Sequence, residues 1–356
     1  MLRSCRARKR AGTVTSEPGN ATKLAGMKDV ADRAGVAMSS VSRVLSDHPD
    51  VSDRMREKVL AAVEELGYEP DVLAQSLRTG ATRTIGVVVA DISNQLFAEI
   101  SHGAETVLRA QGYSTFVANS LNDPEIAVKQ LRMLIKRRVD GLLVSVGEED
   151  GGPIVDAIAN SGLPTVLIDR HLGTAGASRV LSDHRAGMSA VVEKLIDLGH
   201  TRIALINGLP NVLPAMERAA AAKAAAASHP GVTIEVLSGA FSSQHGEEAT
   251  RALVARAERP TAIVAGSNQI LVGVYTALRE AGLSAPHDLS LVTCDPVPLA
   301  EFMTPALDTI WRDRQELGAM AATLMLESLR GGEPREVVLP TEYRAGGCIG
   351  PAPRTR

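Results

Sequence analysis

The sequence predicts a small all-α head followed by a larger two-lobed α/β body with parallel sheets. Three observations carry this. From Lys28 to Thr79 the apolar residues recur only at helical spacing. From Thr84 onward, short unbroken apolar runs alternate with amphipathic stretches, and the pattern restarts near Arg179. Near the end, a helix from Gln315 to Leu329 leads into Glu336-Val337-Val338-Leu339-Pro340, a strand that returns to a lobe already built. At 356 residues the chain has room for two or three such units.

In the head, Val30, Ala31 and Ala34 share one helical face and Gly35 follows. Val41, Val44 and Leu45 form the apolar side of a second short helix. Two helices of about two turns, joined at a tight glycine turn, spell a helix-turn-helix. Met38, Ser39, Ser40, Ser42 and Arg43 are left for the other face of the second helix. Short polar side chains and one Arg suit a helix lying deep in a DNA major groove. The same pattern also suits a helical hairpin packed on some other surface. The next residues narrow that choice. Ser52 can cap a third helix carrying Met55, Val59, Val63 and Leu66, with Gly67 as its stop, and this helix closes a three-helix core. Asp71 to Arg78 follows Tyr68-Glu69-Pro70 and is too short to be helical without a partner.

In the body, the first run is Thr84 to Ala90, followed by an amphipathic stretch from Gln95 to Gln111. Ser114 to Asn119, a helix from Pro124 to Arg138, Gly141 to Val144, a helix from Pro153 to Asn160, and Pro164 to Asp169 complete a first set. Arg179 to Leu181, a helix from Ala186 to Leu198, and Arg202 to Ile206 begin a second. Ile234 to Leu237, Thr261 to Ala265 and Leu289 to Val292 continue it. Two sheets of about five strands each are expected, with a ligand cleft where their strand ends face each other.

Composition excludes several classes. Hydrophobic residues at 45% and charged residues at 22% are ordinary for a globular protein. Net charge is −3, but residues 1–84 hold 14 Lys/Arg against 11 Asp/Glu, leaving −6 for the rest. A mildly basic head on an acidic body fits nucleic-acid contact at one end. Cys5, Cys294 and Cys348 have no metal-ligand spacing, and their sparseness points to a reducing, cytoplasmic setting. No run of about eighteen apolar residues could cross a membrane. Arg3, Arg6, Arg8, Lys9 and Arg10 precede no apolar segment, so residues 1–26 do not read as a secretory signal. They are a disordered basic arm, or they lie ahead of a true start at Met27.

The head resembles the DNA-binding domain of the lactose/galactose repressor (LacI/GalR) family. The matching residues are Asp29-Val30-Ala31, Ala34-Gly35-Val36, Val41-Ser42-Arg43-Val44-Leu45, Val51-Ser52, Arg56, Lys58-Val59, Gly67-Tyr68-x-Pro70 and Ala74-x-x-Leu77. The body is similar to the same family's effector-binding domain, which has the periplasmic-binding-protein-like type I fold. Its matches include Ile85-Gly86-Val87, Asn94-x-x-Phe97-Ala98-Glu99-Ile100, Val139-Asp140-Gly141, Leu198-Gly199-His200-x-Arg202-Ile203-Ala204, Pro260-Thr261-Ala262-Ile263, Cys294-Asp295 and Glu316-Leu317-Gly318. The resemblance covers roughly Met27 to Gly350. It implies a helix-turn-helix domain at 27–70, a hinge helix and linker at 71–83, an effector-binding and dimerisation body at 84–350, and a tail at 351–356. It implies a sequence-specific repressor that binds pseudo-palindromic double-stranded operator DNA as a homodimer, under control of a small effector such as a sugar or related metabolite. No cofactor, metal or membrane partner is implied.

Residue by residue, the resemblance places DNA contacts at Met38, Ser39, Ser40, Ser42, Arg43, Ala74, Leu77 and Arg78. Met38 and Ser39 would choose operator sequence, and Leu77 would wedge into the minor groove. Arg43 would read a guanine edge, with a phosphate clamp as its alternative. Ala37 stands where the family carries a capping Ser or Thr, and Ser46 and Asp71 replace commoner Asn residues. In the cleft the resemblance points to Phe97, Ser145, Asp169, Arg218, Phe241, Asn268 and Asp295. Carboxylates and an Arg can hold hydroxyls in pairs while an aromatic face stacks on a sugar ring or a base. Asp295 is expected to hold two ligand hydroxyls at a strand end. Taken singly, Asp169 and Asp295 could cap loops, Arg218 could be solvated and Phe241 could be core. Gln95, Gln269 and the alanine run after Arg218 depart from the family pattern, and Val212-Leu213-Pro214 make the entrance apolar.

Two other functions are weaker. A transport binding protein with the same body fold would need a signal peptide and no head. An α/β enzyme would need a Gly-rich phosphate loop, a nucleophile elbow or a metal set, and none stands in the expected setting.

Overall fold

The computed structural model describes residues 25–46, 48–68, 80–146, 152–174, 176–296, 300 and 302–353, and it divides at Thr79/Gly80. The first unit holds α1 (Met27–Ala34), α2 (Met38–Leu45) and α3 (Asp53–Leu66). Val30, Ala31, Val41, Val44, Val59, Ala62 and Tyr68 form its buried core. Gly35 and Gly67 end α1 and α3 in the left-handed conformation, which costs glycine least. Ser52 is the N-cap residue of α3 as expected, yet its side chain makes no capping bond. Ala37 precedes α2 and offers no cap either.

The second unit is two lobes of one design. Lobe 1 has a six-stranded sheet in the order β11-β5-β4-β3-β1-β2, and lobe 2 a six-stranded sheet in the order β12-β10-β9-β8-β6-β7. Each sheet therefore has one strand more than the apolar runs predicted. Lobe 1 is built from β1 (Thr84–Val89), α4 (Gln95–Ala110), β2 (Ser114–Asn119), α5 (Pro124–Lys136), β3 (Gly141–Ser145), α6 (Gly152–Ala159), β4 (Thr165–Ile168) and β5 (Ser178–Ser182). Lobe 2 repeats the sequence with α7 (His184–Asp197), β6 (Arg202–Asn207), α8 (Leu213–Ala227), β7 (Thr233–Ser238), α9 (Ser243–Val254), β8 (Ala262–Ala265), α10 (Asn268–Glu280), β9 (Ser290–Cys294) and β10 (Asp308–Trp311). The chain then returns to lobe 1 for α11 (Arg314–Leu329) and β11 (Glu336–Leu339), and ends in lobe 2 with β12 (Glu342–Arg344).

The central strands β3, β4, β8 and β9 are buried at every residue. That is why they read as unbroken apolar runs: helices cover both faces of a parallel sheet. Side-chain oxygens of Asn94, Asp123, Asp183, Ser242, Ser267 and Asp313 cap the helices that follow them. Helices α4 and α11 lie in backbone contact: a Cβ on Gly103 would stand 2.0 Å from the Gln315 carbonyl oxygen. β11 pairs parallel to β5, Val337 opposite Val180, whereas β12 pairs antiparallel to β10, Ile310 opposite Tyr343. The reason is direction: the last crossing enters lobe 2 from the cleft, where the lobe's other strands end.

The chain crosses between lobes three times, at Ser182–His184, at Arg312–Asp313 and at Pro340–Thr341, and the three crossings are bonded together. Thr341 Oγ1 donates to the Asp183 carbonyl at 2.5 Å and accepts from Gly187 N at 3.0 Å. Asp183 N donates to the Leu339 carbonyl at 2.8 Å, and Arg312 Nη1 donates to Ser182 Oγ at 2.8 Å.

Candidate functional site

Strand ends converge on one cavity between the lobes, of about 610 Å³ counted to its open mouth. All seven residues expected in the cleft line it: Phe97, Ser145, Asp169, Arg218, Phe241, Asn268 and Asp295. β4 delivers Asp169 and β9 delivers Asp295, equivalent positions in the two lobes. Both have a left-handed backbone, φ 50° and 53°, a conformation Asp tolerates better than most residues. Phe97 is buried on α4. Phe241 lies over Gly208, where an added Cβ would stand 1.9 Å from the ring, so only glycine lets the aromatic ring settle there. Val212 and Pro214, at the start of α8, make the apolar wall that the sequence predicts.

The polar end differs from expectation. Neither aspartate presents an open carboxylate. Arg312, which the sequence reading missed, lies between them with 4% exposure. Its Nε donates to Asp295 Oδ1 at 2.6 Å and its Nη2 to Asp295 Oδ2 at 3.0 Å. Its Nη1 pairs with Asp169 Oδ2. Arg218 adds Nη2 to Asp295 Oδ2 at 3.1 Å and gives Nη1 to the Gly266 carbonyl at 2.6 Å. Asp169 Oδ1 accepts from Ser182 N at 2.8 Å. The result is a buried chain Asp169–Arg312–Asp295–Arg218, with two anions and two cations. Such a chain is tolerable away from water only because each charge is paired and hydrogen-bonded. Arg218 is thus neither solvated nor free to hold a ligand with its whole guanidinium, and Asp295 in this arrangement cannot accept two ligand hydroxyls without giving up Arg312.

Burial alone would raise the Asp295 carboxyl, but Arg312 and Arg218 outweigh it and hold the group at about 2. Burial likewise opposes ionisation of Asp169, and Arg312 and His184 keep it well below the usual carboxylate range. The Arg312 guanidinium is pushed up by the two carboxylates against the effect of burial. His184 is driven down, chiefly by burial, with Asp169 opposing and Arg218 and Arg312 assisting. Its Nε2 lies 3.4 Å from Asp169 Oδ2 but makes no aligned hydrogen bond.

The lobes also touch across the cavity. Asn94 Oδ1 caps α4 through Leu96 N and accepts Asn268 Nδ2 from lobe 2 at 2.9 Å. Gln269 Nε2 reaches Asp91 Oδ2 at 3.4 Å. Ser145 donates its hydroxyl to the Ile168 carbonyl. Two polar atoms in the cavity wall are buried without a partner among the described residues: Arg218 Nε and Asn268 Oδ1.

In the head, Met38, Ser39 and Arg43 are exposed, and Ser40 and Ser42 half-buried, along α2. Val41 and Val44 turn the opposite side into the core. Ala74, Leu77 and Arg78, with the expected hinge helix, lie outside the described residues.

Comparison with known proteins decides what carries this arrangement. The protein is 35% identical to the HTH-type transcriptional repressor PurR of Haemophilus influenzae (strain PittEE) over 310 residues, 86% of this chain and 91% of that one. The chain belongs to the lacI family of bacterial regulatory proteins. It is a DNA-binding transcriptional regulator. The description "Bacterial regulatory proteins, lacI family" matches residues 26–71 and "Periplasmic binding protein-like domain" residues 192–348. The Ribose operon repressor of Escherichia coli (strain K12) is 34% identical over 309 residues, 86% of this chain and 93% of its own. The crystal structure of the Lac repressor dimer bound to operator and the anti-inducer ONPF superposes with a TM-score of 0.83 at 26% identity, over 92% of this chain and 100% of that one.

The expected helix-turn-helix head and two-lobed body with parallel sheets thus agree with the lacI-family fold. Sequence reasoning missed Arg312 because Trp311-Arg312-Asp313-Arg314 reads as an ordinary charged turn. The available signal was the internal duplication, which sets two aspartates at equivalent strand ends and so calls for a cation between them.

Proposed function

We propose that this lacI-family regulator is a cytoplasmic repressor, a homodimer on pseudo-palindromic operator DNA, whose operator affinity is set by a small effector held between its lobes. The observation that carries the effector reading is the pair Arg218 Nε and Asn268 Oδ1. They are a donor and an acceptor on side chains at least nine-tenths buried, left without partners in a cavity that also offers the faces of Phe97 and Phe241. Leaving such groups unmatched costs about 1–3 kcal/mol each, which a ligand that matches them recovers. A sugar or related metabolite fits this role, as do the names of the relatives. Asn268 and its partner Asn94 belong to opposite lobes, so a ligand engaging Asn268 biases the lobe arrangement. A coupling of about 1–3 kcal/mol would give roughly 5–150-fold regulation. Binding rather than catalysis is the reading, because Asp169 and Asp295, the buried carboxylates of the cavity, are held ionised by Arg312 and are poor proton donors near neutral pH.

A thermal-shift screen of the full chain against sugars and nucleobases tests this: a ligand raises the melting temperature by mass action. A ligand so found must also change operator affinity. A stabilising ligand with no effect on DNA binding would remove the allosteric part of the reading.

On the DNA side, the uncapped N-terminus of α2 leaves backbone N–H groups that a phosphate can take. Arg43 on the same helix is assigned to base readout. Arg43→Ala should then relax discrimination at one base pair per half-site, by about 1–3 kcal/mol. Binding-site selection showing an equal loss on every sequence would reassign Arg43 to a phosphate.

A further inference from the structure

The motif Val139-Asp140-Gly141 does not line the cavity. Its aspartate lies where the chain enters lobe 1 from the head. Asp140 N donates to the Thr84 carbonyl at 2.8 Å, one step beyond the parallel pairing of β1 with β3, so the residue is held on the sheet. Its Oδ1 accepts twice from Thr82, from N at 2.8 Å and from Oγ1 at 3.0 Å. The Thr82 hydroxyl also stands 2.9 Å from the Arg138 carbonyl. The Thr82 carbonyl in turn accepts from Thr84 Oγ1 at 3.1 Å. Arg83 follows with a left-handed backbone, φ 48°, and its carbonyl accepts from Ser114 N at 2.8 Å. Its guanidinium lies over the Tyr113 ring, 5.9 Å from the centre. A residue other than glycine keeps that backbone only where its surroundings over-determine it. Asp140 Oδ2, by contrast, is buried with no partner among the described residues. A single carboxylate oxygen therefore takes both bonds from Thr82.

We propose that Asp140 is a positioning residue for DNA binding: by holding Thr82 it fixes the point where the chain passes between head and lobe 1, and so makes operator binding selective for the distance between half-sites. The proposal rests on the homodimer reading. In a dimer, two such points limit how far two heads can spread, and the DNA sets the spread required. One base pair added at the centre of an operator moves the half-sites apart by about 3.4 Å and turns one against the other by about 35°. A fixed point follows that shift only at a cost. A loose one follows it easily, because each residue freed from the sheet adds up to about 3.5 Å of reach. Gly80, Ala81 and Thr82 would be freed together in each protomer, which is more than the shift demands. A carboxylate suits the task, since its bonds from N–H and O–H donors are charge-assisted and short. An Asn in its place keeps the accepting oxygen, and an Ala does not.

The test is DNA binding by the full-length wild type, Asp140→Ala, Asp140→Asn and Thr82→Val, read by fluorescence anisotropy on three duplexes. The first duplex is the one that the wild type selects from a random library. The second carries one added base pair at its centre, and the third one substituted base pair in one half-site. The wild type should lose about tenfold or more on the second duplex. In Asp140→Ala that spacing penalty should shrink about threefold or more, while the penalty on the third stays within about twofold of wild type. A general weakening of the fold would not separate the two penalties. Asp140→Asn should keep the wild-type spacing penalty. Thr82→Val loses only the hydroxyl, should move in the direction of Asp140→Ala, and carries the test if that variant does not fold. A spacing penalty unchanged in Asp140→Ala and Thr82→Val, or a fall of both penalties together, overturns the proposal and leaves the homodimer reading standing. An Asn variant that behaves like the Ala variant overturns the acceptor role given to Oδ1. A wild type indifferent to the added base pair overturns the proposal as well, and its stoichiometry on the first duplex, two chains or one, tells whether the homodimer reading falls with it.

Discussion

The two lobes are built to one plan and differ at their mouths. Each has the same strand order, an aspartate with a left-handed backbone after its fourth strand, and a helix starting at the cavity after its first. In lobe 1 that helix, α4, is capped by Asn94. In lobe 2 the equivalent helix, α8, has at its N-cap Val212, which offers no capping side chain, and begins with Leu213 and Pro214. The start of one helix is therefore polar and tied to the opposite lobe through Asn268, and the start of the other is apolar. The duplicated fold sets where side chains go. The difference in their chemistry gives the cavity mouth one polar and one apolar helix start, which suits a ligand with a polar edge and an apolar face.

The largest effect that can break this comparison is at the paired aspartates. Asp295→Ala leaves two buried guanidinium groups short of a partner and should destabilise by about 3–5 kcal/mol. Asp169→Ala leaves Arg312 fully paired to Asp295 and should cost less, about 1.5–3 kcal/mol. Urea unfolding of both variants measures the difference, and equal losses would mean that the lobes share the load evenly.

Next is the polar helix start. Asn94→Ala removes a cap and the bond to Asn268, and should cost about 1–2 kcal/mol. Val212→Ala, at the apolar helix start, removes two buried methyl groups and no hydrogen bond, so its cost should be of the same order. Only the first should alter the response of operator binding to an effector. Gel-shift titrations with an effector identified by thermal shift would show this, and equal changes in both variants would deny the two helix starts distinct roles.

The smallest effect is in pH. His184 in the folded protein lies below its unfolded value, so the unfolded chain binds the extra proton first. Stability is then full above about pH 6.5 and falls as pH drops below it. Asp295, held at about 2, adds stability that is full above its unfolded value and lost as pH falls toward 2. His184→Gln should flatten the stability profile between about pH 6.5 and 5 while leaving the more acidic limb in place. Chemical denaturation across that range reads it directly, and an unchanged slope would place the titration elsewhere.

How much of this was legible in the sequence depended on who buries each residue. β1 could be read from Ile85-Gly86-Val87-Val88-Val89 because helices cover both of its faces and every residue there is apolar. β10 and β12 could not. They are short, carry Asp308, Thr309 and Glu342, and owe their order to distant partners: Asp308 accepts from the Tyr343 hydroxyl and from the backbone of Gly346, Cys348 and Ile349. The alanine run after Arg218 read only as a departure, yet Ala221, Ala222, Ala225 and Ala226 are the buried side of α8. The seven cavity residues were placed by family resemblance, and they do meet. The state of their carboxylates was illegible, because it depends on Arg312, whose burial follows from three crossings that no local pattern records.

One neighbour of Arg312 gives the molecule an optical property. Trp311 is the chain's single tryptophan, and it lies at the last residue of β10 with the Arg344 guanidinium 3.4 Å from its ring centre. All indole emission from the full chain thus originates one residue from the guanidinium that spans the two lobes. A cation over the ring quenches and shifts that emission according to its distance. Any rearrangement of the Arg312 crossing that moves the ring relative to Arg344 changes the colour and intensity of the light, with no dye or label attached.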